Sequence, residues 1–408
     1  MALDLPHSIP AEARVGDDGP APTLAGLLVL GLTVGTVNGL SRVAMPLFAA
    51  SLGAQPWQVG MVGGLGYAGL LLLALPMGAW LERHGSRVLF IRGVAGAAVL
   101  YLALPFAQSP LHAIVAAAVL GLLLPLRIIP VYAEFLAMLP RLSPSRAGWN
   151  RAAGTLGMFF LGPAVAGAVL DAGGFAPVFQ LAAGALLVAL LVAGRVLHGT
   201  AQRPASPTAS LRGRIVAQVH ILRSQAEVRR TMAIDFLAQM TVAYFTVFVL
   251  LLAVHDFGMT VQAAAGLVTV QGALYVVTLF AAGSLLTAAR EDLSYLLAFA
   301  LLLAQGLLCG LATAPAALWL GAAASGVGLG LQGLTSTTRF AAFLHRFGRG
   351  RIGGLTSLGA PAGGVVGVMV GGAVSQRLGT PAGFLLLAAG CALVCSAQWR
   401  RMRRTRAR

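Results

Sequence analysis

The sequence contains no lysine. All 28 of its basic residues are arginine, set against only 12 acids in 408 residues. Charge of either sign is scarce, at 10% of residues, whereas a soluble domain carries roughly 25%. Cysteine is nearly absent as well. Cys309, Cys391 and Cys395 fall in apolar runs without a neighbouring histidine or acid, which points to small packing residues and away from a metal site. There is no His-Glu-x-x-His pair, no pair of metal-site acids and no Gly-x-x-x-x-Gly-Lys loop, and all seven histidines lie in the tail, connections or span ends. The sequence thus offers no footing for metal-assisted hydrolysis or nucleotide chemistry, and we expect neither an enzyme nor a cofactor.

What fills the chain instead is apolar sequence. Hydrophobic residues make up 58% of it, and the mean hydropathy is +0.85. Apolar runs of about 20 residues or more recur, each long enough to cross roughly 30 Å of hydrocarbon as a helix. These runs are apolar on every face, whereas a buried soluble helix needs one stripe only. The pattern predicts an all-α membrane protein with twelve spans, at 23–50, 57–81, 88–107, 111–138, 148–170, 177–197, 231–254, 261–288, 293–313, 316–344, 352–374 and 381–398.

Arginine position sets the expected topology. With both termini cytoplasmic, 24 arginines fall in the tails, in cytoplasmic loops or at the helix ends beside them. Arg377 alone falls in an outer loop, and Arg42, Arg127 and Arg339 lie inside spans. That asymmetry is the positive-inside rule, so the net charge of +16 reports topology and no nucleic-acid partner is expected. The run 400–408 reads either as a stop-transfer anchor or as a contact for anionic lipid. Residues 1–21 lack a basic n-region, so they read as a disordered cytoplasmic tail and not as a signal peptide. A lysine-free, Ala/Gly/Arg-rich chain suggests a GC-rich bacterial genome, hence the bacterial cytoplasmic (inner) membrane.

The chain divides near its middle. A segment over 198–230 opens with a Pro/Ser-rich stretch, then places Leu211, Ile215, Val219 and Leu222 at helical spacing among arginines. It reads as a linker that is either a surface helix on the cytoplasmic leaflet or simply solvated. The flanking blocks, 22–197 and 231–399, echo one another. "FAASLGAQPWQVGMVGGLGYAG" from Phe48 resembles "LAVHDFGMTVQAAAGLVTVQG" from Leu252, and "QLAAG" at Gln180 resembles "LLAAG" at Leu386. The common offset of about half the chain is that of repeated six-helix halves, an arrangement in which substrate sites lie at the repeat interface.

Between the second and third spans the sequence reads Gly78-x-x-x-Glu82-Arg83-x-Gly85-x-Arg87. This resembles the loop signature of the major facilitator superfamily, with Glu82 replacing the usual aspartate and Ser86 one basic residue. The second-half counterpart near Gly283 is decayed. The resemblance implies two pseudo-symmetric six-helix halves and a transporter. It also implies that Glu82 gates the cytoplasmic side against the start of span eleven, with Arg351 at hand to help, unless Arg83 and Arg87 are topology anchors only. Gly85 would permit a tight reversal and Gly78 a close helix approach. In span five, "GMFFLGPAVAG" places Gly157, Gly162, Pro163 and Gly167 in a run similar to the family's antiporter motif, although Ala166 stands where a glycine is usual. Plain helix packing is the competing reading.

Charged groups inside spans are costly and normally face a cavity or a partner. The resemblance implies that spans one, four, seven and ten line the cavity, and the polar residues fall on these. Asn38, Arg42, Arg127, Gln239, Tyr244 and Gln332 are the candidate substrate contacts. Glu134, with Asp235 behind it, is the candidate proton carrier, and Glu134 with Arg339 a candidate gate pair. Arg127 near mid-span and Arg42 somewhat further out suggest a carboxylate- or phosphate-bearing substrate. The function expected is that of a proton-coupled exporter of a small organic molecule, monomeric in membrane lipid and driven by the proton gradient. Uptake symport or facilitated entry is the alternative, and a receptor or enzyme on the same scaffold is a distant third.

Overall fold

A computed structural model describes residues 23–138, 149–197, 220–281, 291–347 and 349–406. All regular structure among them is helical. Hydrocarbon offers peptide groups no hydrogen-bond partner, and a helix satisfies its own. Among the described residues, twelve helices are long and apolar enough to cross a bilayer. In chain order they are α1 (Leu24–Ser51), α2 (Pro56–Leu73), α3 (Trp80–Phe106), α4 (Pro110–Met138), α5 (Ala152–Gly173) and α6 (Phe175–Val196). The second half supplies α7 (Ala226–Asp256), α8 (Val261–Ala281), α9 (Glu291–Gly310), α10 (Pro315–Phe343), α11 (Leu358–Leu378) and α12 (Thr380–Arg403). Twelve crossings return the chain to its starting side. Thr23 and Arg403 therefore share one face, the terminal face, and the opposite one is the far face.

The helices sit where the apolar runs predict, with differences at their ends. The last helix continues through Arg406, so residues 400–406 of the arginine-rich end are helical and extend α12. The first helix of the second half begins at Ala226, five residues before the apolar run, because Glu227 favours the positive helix start. Residues 1–22, 139–148, 198–219 and 282–290 lie outside the described residues, as do most of the expected linker and the side chain of Arg351. Gly85 has φ 76° and ψ 159°, non-helical values that break the run from Pro56 to Ala103, so residues 80–84 at the start of α3 continue the arm of α2 and the third crossing begins at Ser86. The tight reversal expected there is present, and the positive φ strongly favours glycine.

Within lipid, helices associate chiefly by close van der Waals packing, which glycine permits. The contacts between halves use it throughout. Gly60 of α2 abuts Val368 and Gly372 of α11, and Gly63 abuts Val368 and Val247. Tyr67 covers Gly364, Gly167 of α5 meets Ala265 and Gln262 of α8, and Gly272 meets Phe159. Among the described residues, every glycine approach between the halves lies between mid-membrane and the far face. The halves are therefore clasped at the far face in this structure. Gly78, near the terminal face, meets nothing within 4 Å and is exposed. The close helix approach expected of it is absent, because α2 and α11 touch further out.

Candidate functional site

Helices α1, α2, α4, α5 and α7, with Tyr101 of α3, enclose a cavity of about 220 Å³ just beneath the far-face closure. A second space of about 310 Å³ runs between α1, α4 and α5. The two share Asn38, Arg127, Ile128 and Met158, so they form one continuous region around those side chains.

Local breaks in helix geometry bring the side chains there. Pro125 and Pro130 flank Arg127 in α4, each removing a backbone donor. In α5 the stretch Gly157–Leu161 takes π-helical form just before Gly162 and Pro163. Such one-turn π-bulges are common at functional sites. This one places Met158 on the cavity wall and Phe159 against Arg42. Gly157 and Gly162 are packed on α1 at Leu32, Thr36 and Gly39, and Gly167 on α8. The glycines of the motif thus serve helix packing, while its π-turn shapes the cavity.

The two arginines are held differently. Arg42 lies with its guanidinium carbon 5.2 Å from the ring centre of Tyr67 and 5.5 Å from that of Phe159. Aromatic faces of this kind stabilise a desolvated cation by about 1–2 kcal/mol. Arg127 is 2% exposed, and its Nη2 donates one long bond, 3.5 Å, to the Leu120 carbonyl. Its Nε and Nη1 have no hydrogen-bond partner. A buried cation with idle donors is costly, by roughly 1–3 kcal/mol for each unsatisfied group. Among the described residues, no acid lines either space.

The second half carries a separate polar chain. Gln332 Nε2 donates to Asp235 Oδ1 at 3.0 Å and to Ser336 Oγ at 2.9 Å, and Tyr295 meets Ser336 at 3.1 Å. Over the Tyr295 ring sits Arg339, whose Nε is 2.8 Å from Glu291 and whose Nη2 is 3.2 Å from Asp292. Asp292 also pairs with Arg230 and Arg401, and Arg230 donates to Gln398.

Of the six substrate contacts suggested by sequence, Asn38, Arg42 and Arg127 converge on the cavity. The other three do not line it. Tyr244 is fully buried, bonded to Ser375 Oγ and the Thr380 carbonyl and stacked on Phe248. Gln239 rests against Gly363 of α11, and Gln332 is committed to Asp235. Helical spacing placed them on suitable helices without revealing that α11 and α9 cover those faces. The expected gate pair is also rearranged, since Arg339 pairs with two acids of α9. Glu134 is half-buried near the end of α4. In the signature loop Glu82, Arg83 and Arg87 are exposed, and Arg87 reaches toward Gly194 of α6.

Sequence reasoning missed Tyr67 and Tyr101 in the cavity, Phe159 against Arg42, and Glu291 and Asp292 beside Arg339. The acids had a readable signal, two carboxylates at the start of an apolar run. The aromatics had none, since they lie on other helices, 25 to 117 residues from Arg42.

The structure aligns with a crystal structure of a point mutant of the nucleoside transporter NupG, with a TM-score of 0.77 at 10% identity. The alignment covers 92% of this chain and 99% of that one, and at such identity the likeness speaks for the fold alone. No curated protein sequence matches the chain. The sequence profile of the Major Facilitator Superfamily matches residues 27–232, just over half of it. With twelve membrane helices in that superfamily's fold and a profile match over this span, the chain belongs to the Major Facilitator Superfamily of transporters.

Proposed function

We propose that the protein is a proton-coupled exporter of a small organic anion, working by alternating access. The observation that carries the anionic substrate is Arg127, buried with two idle nitrogens in a space that also holds Arg42 and has no acid on its walls. A carboxylate or phosphate there would take up the idle donors and offset the cost of burying them. Asn38 and Met158 would border the same ligand. Glu134 and Asp235 are the proton-carrying candidates, the gradient is the energy source, and the transporter acts as a monomer in the bacterial inner membrane with both termini cytoplasmic. An impermeant thiol reagent on intact cells should then label Gln55→Cys and spare Ser206→Cys.

Export rests on the antiporter-like run in α5. Uptake of the same anion is the second reading, because Gly157, Gly162 and Gly167 are all occupied in helix packing, which leaves that run without bearing on direction.

Reconstituted protein should change the internal pH of proteoliposomes when given carboxylates or organic phosphates, and not when given neutral or cationic compounds. Arg127→Ala should abolish that response, and Arg127→Lys should restore only part of it, because an ammonium lacks the planar fork. A response confined to cations or neutral solutes would overturn the anion reading.

A further inference from the structure

One contact between the halves is not a packing contact. Asp171, in the last turn of α5, accepts a hydrogen bond at Oδ1 from the Val261 amide, 3.1 Å, and at Oδ2 from the Gln262 amide, 3.0 Å. These are the first two peptide groups of α8, in the opposite half. A helix start leaves its first amides without intrahelical partners, and here each amide from Val261 to Ala264 is bonded. Thr260 Oγ1 takes Ala263 and the Thr260 carbonyl takes Ala264, which leaves the first two to Asp171.

The position makes no sense for α5 itself. A carboxylate in a helix's last turn sits at the negative end of that helix's dipole, where it is disfavoured. The same charge beside the positive start of α8 is favoured. Gly167, one turn earlier on the same face of α5, lies against Gln262 and Ala265, and that close approach is what lets Asp171 reach across. The site is at the far face, where the halves are clasped, and Asp171 is exposed there.

We propose that Asp171 is the latch of the far-face gate: a positioning residue that caps α8 while this face is shut and releases it when the face opens. The bond pair joins helices that separate in alternating access, so its strength helps set the balance between the two orientations. The proposal does not depend on which substrate is carried or on its charge.

The test uses spin labels at Ser51→Cys and His255→Cys, both exposed at far-face helix ends of opposite halves, with Cys309, Cys391 and Cys395 replaced by serine. Pulsed dipolar distances are measured in proteoliposomes without substrate. Asp171→Ala should raise the long-distance, far-face-open fraction about fivefold, the shift that follows from losing a helix cap of typical strength. Asp171→Asn, which keeps one acceptor and loses the charge, should fall between the two. Thr260→Ala strips the same helix of its own cap but leaves the cross-half pair, and should leave the distances unchanged. Superimposable distributions from the parent and Asp171→Ala would overturn the proposal. So would Thr260→Ala opening the face as much as Asp171→Ala, which would reduce Asp171 to general support of α8.

Discussion

Arg339 Nε lies 2.8 Å from Glu291 Oε2 within its own half, and Asp292 next to it answers three arginines, Arg339, Arg230 and Arg401, at 3.2–3.3 Å. The four helices α7, α9, α10 and α12 are thereby fastened together at the terminal face by one carboxylate. Its removal takes the shared counter-charge from three arginines and leaves Glu291 to answer Arg339. Asp292→Asn is expected to cost about 1–3 kcal/mol, discounted toward the lower end because Asp292 is a quarter exposed. Glu291→Gln, which weakens one pair and leaves Arg339 still bonded to Asp292, should cost less. Thermal unfolding of the purified protein in detergent orders the two, and added salt should narrow the difference. Equal midpoints for Asp292→Asn and the parent would show the cluster to be solvent-screened.

Arg127 makes the opposite case, a charge retained at a cost. Two of its nitrogens are buried without partners, so an apolar residue of similar length should relieve the fold. Arg127→Met is expected to raise the unfolding midpoint of ligand-free protein, by the equivalent of roughly 1–3 kcal/mol, while removing transport. A functional residue that destabilises its own protein behaves in this way. Loss of stability in Arg127→Met would mean that the guanidinium is satisfied in the membrane.

Two glycines of α2, three residues apart, separate packing from cavity. Gly69 lies directly on the Gly121 carbonyl of α4, where an added methyl would strike backbone. Gly66 lines the cavity and has nothing within 4 Å of an added Cβ. Gly69→Ala should therefore destabilise by about 1–3 kcal/mol, the usual cost of overpacking. Gly66→Ala should leave stability unchanged or slightly raised. Gly66→Leu should fold and fail to bind ligand, since the side chain takes up space in a cavity of about 220 Å³. Binding and unfolding assays on the three variants decide this, and a folded, binding-competent Gly66→Leu would move the ligand elsewhere.

The spans, their number and the hinge at Gly85 were legible in the sequence because each is a local property, either apolar length or a backbone geometry that favours glycine. Asn38, Arg42 and Arg127 were legible because a polar group in hydrocarbon needs a reason to be there. Tyr244, Gln239 and Gln332 met the same criterion and turned out to face other helices. A hydroxyl or amide can be satisfied by a neighbour such as Ser375 or Asp235, and sequence does not show which helix covers which face. The Asp171 bridge was illegible for a related reason, since the donors to its carboxylate are backbone amides 90 and 91 residues away.

Glu134 and Asp235 can be told apart as proton carriers by what each amide variant preserves. In Asp235→Asn the new side chain keeps an oxygen that can accept from Gln332 Nε2, so the polar chain through Ser336 to Tyr295 should survive. In Glu134→Gln the side chain stays half-buried on α4, two turns from Arg127, and loses its charge and its ability to exchange a proton. If Glu134 carries the proton, Glu134→Gln should bind ligand and exchange it across the membrane, because the neutral form can still change orientation. Accumulation against a gradient should fall to background, and the internal pH of proteoliposomes should no longer respond. Asp235→Asn should then retain uphill transport at more than about half the parent rate, the mild loss expected when one charged acceptor becomes neutral but stays bonded. Uphill transport persisting in Glu134→Gln and lost in Asp235→Asn would assign the proton to α7. Loss in both would mean that the two carboxylates titrate as one coupled unit through the cycle, and the double variant would then be no worse than either single one.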